Sequence, residues 1–151
     1  MTKAYDSGYD RLLGTQENIA MTDRPNHIRQ GFGAVRPYLY GGVSLIDFVL
    51  RTFQAEELER YEYGPQSFQV MARIGDSVVI LEAGDLPPKV RPTKASVYVY
   101  VEDVDATYRR ALQAGAESIE RPEDKPYNER GAGVQDPFGN TWWIATYTGP
   151  K

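Results

Sequence analysis

The sequence repeats itself once. Pro37–Val43, PYLYGGV, parallels Val97–Val104, VYVYVEDV; FQAEELER parallels LQAGAESIER; and Gly75-Asp76, set between two β-rich runs, parallels Gly139-Asn140. The copies lie about 60 residues apart, beyond the common solenoid periods, and two copies are too few for a stacked array. Each copy must therefore be a small unit. One small open sheet with one helix leaves an apolar face bare, so the two units have to cover each other or a partner subunit.

Local patterns fill in the copies. Ala34–Tyr40 has the β-branched and aromatic content of a strand, limited by Pro37 to an edge or an end. After Gly41-Gly42, the apolar positions Val43, Ile46, Val49, Leu50 and Phe53 have the spacing of an amphipathic helix, with Ser44 as the expected N-cap and Asp47 three residues on. Three strands are expected over Glu56–Tyr63, Ser67–Ile74 and Ser77–Ala83. Gly84–Lys94 holds three of the ten prolines and reads as a linker. The second copy follows with a strand at Ser96–Val101, a helix from Val104 capped by Asp103 and closed by Gly115, and a short strand at Ala116–Arg121. Pro122–Gly133, with two prolines and two glycines, is expected to be a loop. Asp136-Pro137 and Gly139-Asn140 then form a tight turn that opens into a strand over Thr141–Tyr147. Trp142 and Trp143 must face opposite sides of that strand, so one of them lines the interior. The fold class expected is α+β: two βαβββ modules, residues 34–84 and 95–148, in one domain over 34–151. Residues 1–33 read as an N-terminal arm with a short helix in Tyr9–Met21 and packing aromatics at Tyr5, Tyr9 and Phe32.

Composition narrows the function. The chain has 151 residues, 41% apolar and 25% charged, with a net charge of −4. A mildly acidic chain with no basic aromatic stripe is not expected to bind nucleic acid. No apolar run approaches a membrane span and the N-terminus lacks an apolar signal region, so the expected location is cytoplasmic, off the membrane. There is no cysteine and a single histidine, His27. Histidine is the usual supplier of both general-base and metal chemistry, so both are restricted. His27 itself reads as a surface loop residue.

The combination PYLY, FQAEELER, RIGDSVVIL, VYVYVEDVDATYRRALQAGA and DPFGNTWWIAT closely resembles the vicinal oxygen chelate superfamily, which groups glyoxalases, bleomycin-resistance proteins and extradiol dioxygenases. Its PhnB-like branch looks nearest. The resemblance spans about Ala34 to Tyr147 and implies paired βαβββ modules whose mixed sheets curl around a concave pocket, commonly in a dimer. It also implies where a divalent metal would sit: on His, Glu or Gln of the first and last strands of each module. Here those positions fall near Val35-Arg36, Ser96-Val97-Tyr98, Trp143 and about Val79. A His and a Glu common in the branch are replaced by Gln69 and Met71. Gln69 alone does not hold a metal. No metal site and no cofactor are therefore expected.

The candidate ligand-binding residues are Arg36, Tyr38, Gln69, Met71, Tyr98, Tyr127, Arg130 and Trp143. Of the first-strand tyrosines, one pair, Tyr38 with Tyr98 or Tyr40 with Tyr100, is expected to face inward. Arg36 and Arg73 need either a ligand anion or an internal glutamate. Glu82 and Glu129 are the weak candidates for a catalytic carboxylate; the plainer reading of Glu82 is a solvated strand-end charge, and that of Tyr127 to Arg130 a surface loop. The leading expectation is a homodimeric, metal-free binder of a small apolar or aromatic molecule, with sequestration of a drug or toxin as its role. The alternatives are a metal-independent isomerase or lyase using a pocket carboxylate or tyrosine, and a non-catalytic dimeric interaction module.

Overall fold

The computed structural model describes residues 27–31 and 33–151. The chain divides into two units, Met1–Val35 and Arg36–Lys151. The helix and aromatics expected within Tyr5–Met21, and Phe32, lie outside the described residues. In the first unit Arg29–Gly31 forms a 3₁₀ turn, and His27 is exposed.

The second unit holds both modules. The first runs β1 (Tyr38–Gly41), α1 (Ser44–Phe53), β2 (Glu56–Gly64), β3 (Ser67–Ile74) and β4 (Ser77–Gly84). The second runs β5 (Ser96–Tyr100), α2 (Val104–Gln113), β6 (Glu117–Lys125), β7 (Glu129–Gln135) and β8 (Thr141–Tyr147). Each module makes one four-stranded mixed sheet, in the orders β1-β4-β3-β2 and β5-β8-β7-β6. In both, the first strand pairs parallel to the last: Tyr38 stands opposite Ile80 and Tyr98 opposite Trp143. The fold is thus the α+β pair of βαβββ modules that the repeat required.

Each strand alternates between two faces. On one face of each sheet Leu39, Val70, Ala72, Val79 and Leu81, and Val99, Ala132, Val134, Trp142 and Ile144, join the buried residues of α1 and α2 in a single core. The two helices touch. Trp142 is fully buried and lies against α1 of the other module, 4.8 Å from the Phe53 ring and 6.3 Å from that of Phe48. The modules therefore share one apolar interior, and burying a ring of this size contributes on the order of 2–3 kcal/mol.

The turn before β8 binds the halves together. Asp136 is buried, and its carboxylate accepts four hydrogen bonds: from the backbone N–H of Phe138 (2.9 Å) and Asn140 (3.0 Å), from the Asn140 amide (2.9 Å) and from the Trp142 indole N–H (3.0 Å). Asn140, also fully buried, accepts from the Ala95 N–H ahead of β5 at 3.0 Å and donates to the Tyr40 carbonyl of β1 at 3.3 Å. Phe138 lies on Gly41 and Gly42; a Cβ at Gly41 would stand 2.8 Å from its ring, which is why the break after β1 is glycine.

Two local expectations change. Ser44 does not cap α1: Val43 holds the N-cap position, in helical conformation and without a side-chain cap bond, and the helix simply continues the turn after Gly42. Asp103 does cap α2, accepting from the Ala106 N–H at 2.9 Å. Pro122–Gly133 is not a loop. Its first part extends β6, Pro126–Asn128 turns the chain with Asn128 at φ 60°, and Glu129–Gly133 is most of β7. Glycines and charges conceal this strand because its stability comes from pairing with two neighbours, β6 and β8, rather than from its own β propensity.

The Asp136 network yields the first prediction. Asp136→Ala leaves buried donors unsatisfied and costs about 3 kcal/mol or more, whereas Trp142→Phe keeps the ring, loses one bond and costs about 1 kcal/mol or somewhat more. Denaturant midpoints of the two variants against the parent check both the order and the size.

Candidate functional site

The faces turned away from the helices carry the chemistry. Residues i and i+2 of a strand share a face, so Tyr38 and Tyr40 lie on one side of β1, and Tyr98 and Tyr100 on one side of β5. Their ring centroids are 5.3 and 5.5 Å apart. The expectation that only one tyrosine of each strand faces inward fails for this reason: all four stand on the open faces.

On the first sheet the tyrosines meet a carboxylate. Glu82 of β4 is buried, which overturns its reading as a solvated strand-end charge. It accepts hydrogen bonds from the Tyr38 and Tyr63 hydroxyls and, at 2.7 Å, from the Gln69 amide. Gln69 also reaches the Tyr38 oxygen at 3.1 Å. Burial, followed by donation to Glu82, pushes the Tyr38 and Tyr63 pKa values up to about 12. Tyr63 enters from β2, at the far edge of the sheet; its period-two relation to Tyr61 is the sequence signal that marks it, and the two rings stack at 6.0 Å.

The second sheet builds the same cluster from a different strand. Ala145 occupies the place of Glu82, opposite Tyr100 as Glu82 is opposite Tyr40. The carboxylate comes instead from Glu129 on β7, across Gly131, which is paired with Ala145. Glu129 is buried and accepts from the Tyr98 hydroxyl and, at 2.6 Å, from that of Tyr100. Donation from Tyr100 and Tyr98 holds the Glu129 pKa below the ordinary glutamate value, and the same bonds raise both tyrosines. Trp143 stands beside Tyr98 on this face and lies on Gly133, where a Cβ would come within 2.5 Å of the indole. Trp142 is the core ring and Trp143 the ring of the open face. Tyr127, 59% exposed, sits in the β6–β7 turn next to Glu129.

The other candidates separate. Arg36 donates to the Met71 thioether at 3.3 Å, and Arg73 pairs with Glu56 of β2, an internal glutamate. Arg130 is not a ligand group of the open face. It lies on the helix side of β7, held bidentately by Asp105 of α2 at 2.7 and 2.9 Å and by Asp124 at 3.1 Å. Those carboxylates raise its pKa, and it lowers that of Asp105. Its place next to Glu129 in the sequence is what put it on the opposite face.

The parallel register also corrects one equivalence. The partner of Trp143 in the first module is Ile80, not Val79, because Ile80 faces Tyr38 as Trp143 faces Tyr98. At the two last-strand positions where the resemblance implies metal ligands, the side chains are therefore an isoleucine and a tryptophan, neither with a donor suited to a divalent ion. Among the described residues, no three of His, Cys, Asp and Glu come together as a ligand set. The side chains at these two positions do not fit the metal. Among the described residues, no helix is long and apolar enough to cross a membrane.

Comparison with known proteins agrees with this architecture. Residues 44–144 match the family model of the Glyoxalase/Bleomycin resistance protein/Dioxygenase superfamily, and the chain belongs to that superfamily. An uncharacterised protein of Mycobacterium bovis is 34% identical over 122 residues, covering 72% of this chain and 80% of its own length; one from Mycobacterium tuberculosis is equally similar, with 71% of its length covered. Among solved structures, TioX from Micromonospora sp. ML1 superposes with a TM-score of 0.60 at 23% identity, covering 76% of this chain and 99% of that one. A glyoxalase/bleomycin resistance protein/dioxygenase family enzyme from Burkholderia phytofirmans gives 0.54 at 20%, covering 73% and 96%. At these identities the structural likenesses establish the fold alone.

Two measurements probe the site. In a spectrophotometric titration, Tyr38, Tyr63, Tyr98 and Tyr100 ionise above the ordinary tyrosine range, and Glu82→Gln moves the Tyr38 and Tyr63 part of the late phase downward. The linked stability has a fixed sign. The contribution from Tyr38 and Tyr63 is complete below about pH 10 and is lost as pH rises toward about 12. That from Glu129 is present above the ordinary glutamate range and is lost as pH falls through its lowered pKa. Separately, Gly133→Ala forces the Trp143 ring off β7 and red-shifts its emission, with Trp143→Phe as the control that removes this signal.

Proposed function

We propose that this protein is a metal-free, small-molecule-binding member of its superfamily, acting as a homodimer in the cytoplasm and taking an apolar or aromatic ligand against its open sheet faces. One observation carries the reading. Tyrosine and tryptophan rings dominate those faces, while the polar groups that accompany them, Glu82, Gln69, Glu129 and four tyrosine hydroxyls, are already satisfied by one another. What these clusters have left to offer a ligand is aromatic area, the usual lining of a small-molecule site. Sequestration of a drug or toxin is the role that follows.

The dimer is supported by exposure. Tyr61, Tyr98, Tyr100 and Tyr147 are each more than half exposed in the single chain. Such area on sheet faces is covered in a folded assembly. A second copy supplies the cover, and a ligand between the copies is then enclosed.

The isomerase or lyase reading has less behind it. A general base works best with a pKa near the operating pH. Glu129 moves the other way, and both buried carboxylates are hydrogen-bonded by two phenols rather than left unpaired.

Sedimentation of the purified protein is expected to give twice the monomer mass, with Tyr98→Glu shifting it toward monomer. Metal analysis is expected to find no stoichiometric divalent ion; one tightly held ion per subunit overturns the metal-free reading.

A further inference from the structure

We infer that the open face of the second sheet selects a flat aromatic cation, held against Tyr98, Tyr100 and Trp143 with Glu129 beneath the tyrosine hydroxyls. This rests on the small-molecule reading and adds the charge class of the ligand.

Geometry comes first. The Tyr98 and Tyr100 rings are inclined at 59°, so they form two walls rather than one stack. Trp143, next to Tyr98 across the parallel pair, lies on Gly133 and adds a flat platform. A planar ligand over an indole and beside tilted phenols can use offset-stacked and edge contacts together.

Charge then discriminates. The negative face of an aromatic ring attracts a cation, most strongly for tryptophan and when the pair is partly desolvated. Both hydroxyls point their hydrogens at Glu129, which leaves electron density on the phenol oxygens and rings and places a full negative charge behind them. The charged residues in register on this face are Glu117, Glu120, Glu123 and Glu129 against Lys125, and Lys125 is already paired with Glu120 and Glu123. A cation thus gains both from the rings and from the field of the face, and an anion is repelled. The first sheet carries less of this bias, because Arg36 and Arg73 stand on its face against Glu56, Glu59 and Glu82.

The test compares N-methylquinolinium with its neutral isostere 1-methylnaphthalene, titrated into the purified wild-type protein and followed by NMR of the ligand methyl group. The expected result is an upfield methyl shift for the cation and an affinity on the order of 10-fold above that of the neutral probe. Glu129→Gln, checked for an unchanged circular dichroism spectrum, is expected to reduce that preference to a few-fold, and Trp143→Leu to weaken both probes. Equal affinity of the two probes for the wild-type protein overturns the inference and leaves the small-molecule reading standing. An unchanged preference in folded Glu129→Gln also overturns it. Binding of neither probe, each titrated up to its solubility limit, removes both the inference and the reading beneath it. The wild-type comparison needs no variant, so a variant that fails to fold does not decide the outcome.

Discussion

A single buried carboxylate holds the architecture together. Asp136 fixes the turn that launches β8, orients the indole of Trp142, and positions Asn140. Asn140 in turn bonds the chain ahead of β5 and the carbonyl of β1. Two modules that repeat one another have no intrinsic reason to adopt one mutual arrangement. Here the arrangement is set by a directional network at a turn and an indole inserted under the other module's helix. The hydrophobic core supplies most of the driving force, but it is non-directional. Buried hydrogen bonds of this kind carry the specificity, because each broken one leaves a desolvated donor.

With the helix-covered faces turned to the core, the remaining faces of the two sheets form a matched pair of aromatic surfaces. Each carries two tyrosines on its first strand and a carboxylate that accepts from two phenols. The carboxylates arrive from different strands, Glu82 from β4 and Glu129 from β7, and Ala145 and Gly131 leave the room that the second route requires. The same local chemistry is thus reached by two backbone routes within one chain. In the superfamily's usual chemistry the last strand offers a metal ligand; here Ile80 and Trp143 stand there.

Much of this was legible in the letters. The internal repeat required two similar βαβ-containing halves, and Asp103, Gly75-Asp76 and the Trp142-Trp143 alternation mark local structure directly. β7 was not legible: Glu-Arg-Gly-Ala-Gly has no β propensity, and its pairing is a long-range fact. Glu82 and Glu129 are visible as candidates, but their burial is not, since the groups that permit it, Tyr63 and the Tyr98–Tyr100 pair, lie 19 to 31 residues away in sequence. Arg130 shows the converse error. Adjacent residues in a strand point apart, so nearness to Glu129 in the chain was evidence against a shared site rather than for it.

The commitment of the Tyr38, Tyr63, Tyr98 and Tyr100 hydroxyls to carboxylates has one more consequence. A phenol whose O–H is committed to a carboxylate within its own chain cannot offer that proton to a guest. On the proposed reading, recognition on these faces proceeds through ring surfaces, whose attraction varies slowly as a guest slides or rotates in plane. Sites built on hydrogen bonds read the outline of a molecule atom by atom. Faces built this way would read its flatness, and would accept a range of related scaffolds with little change in affinity.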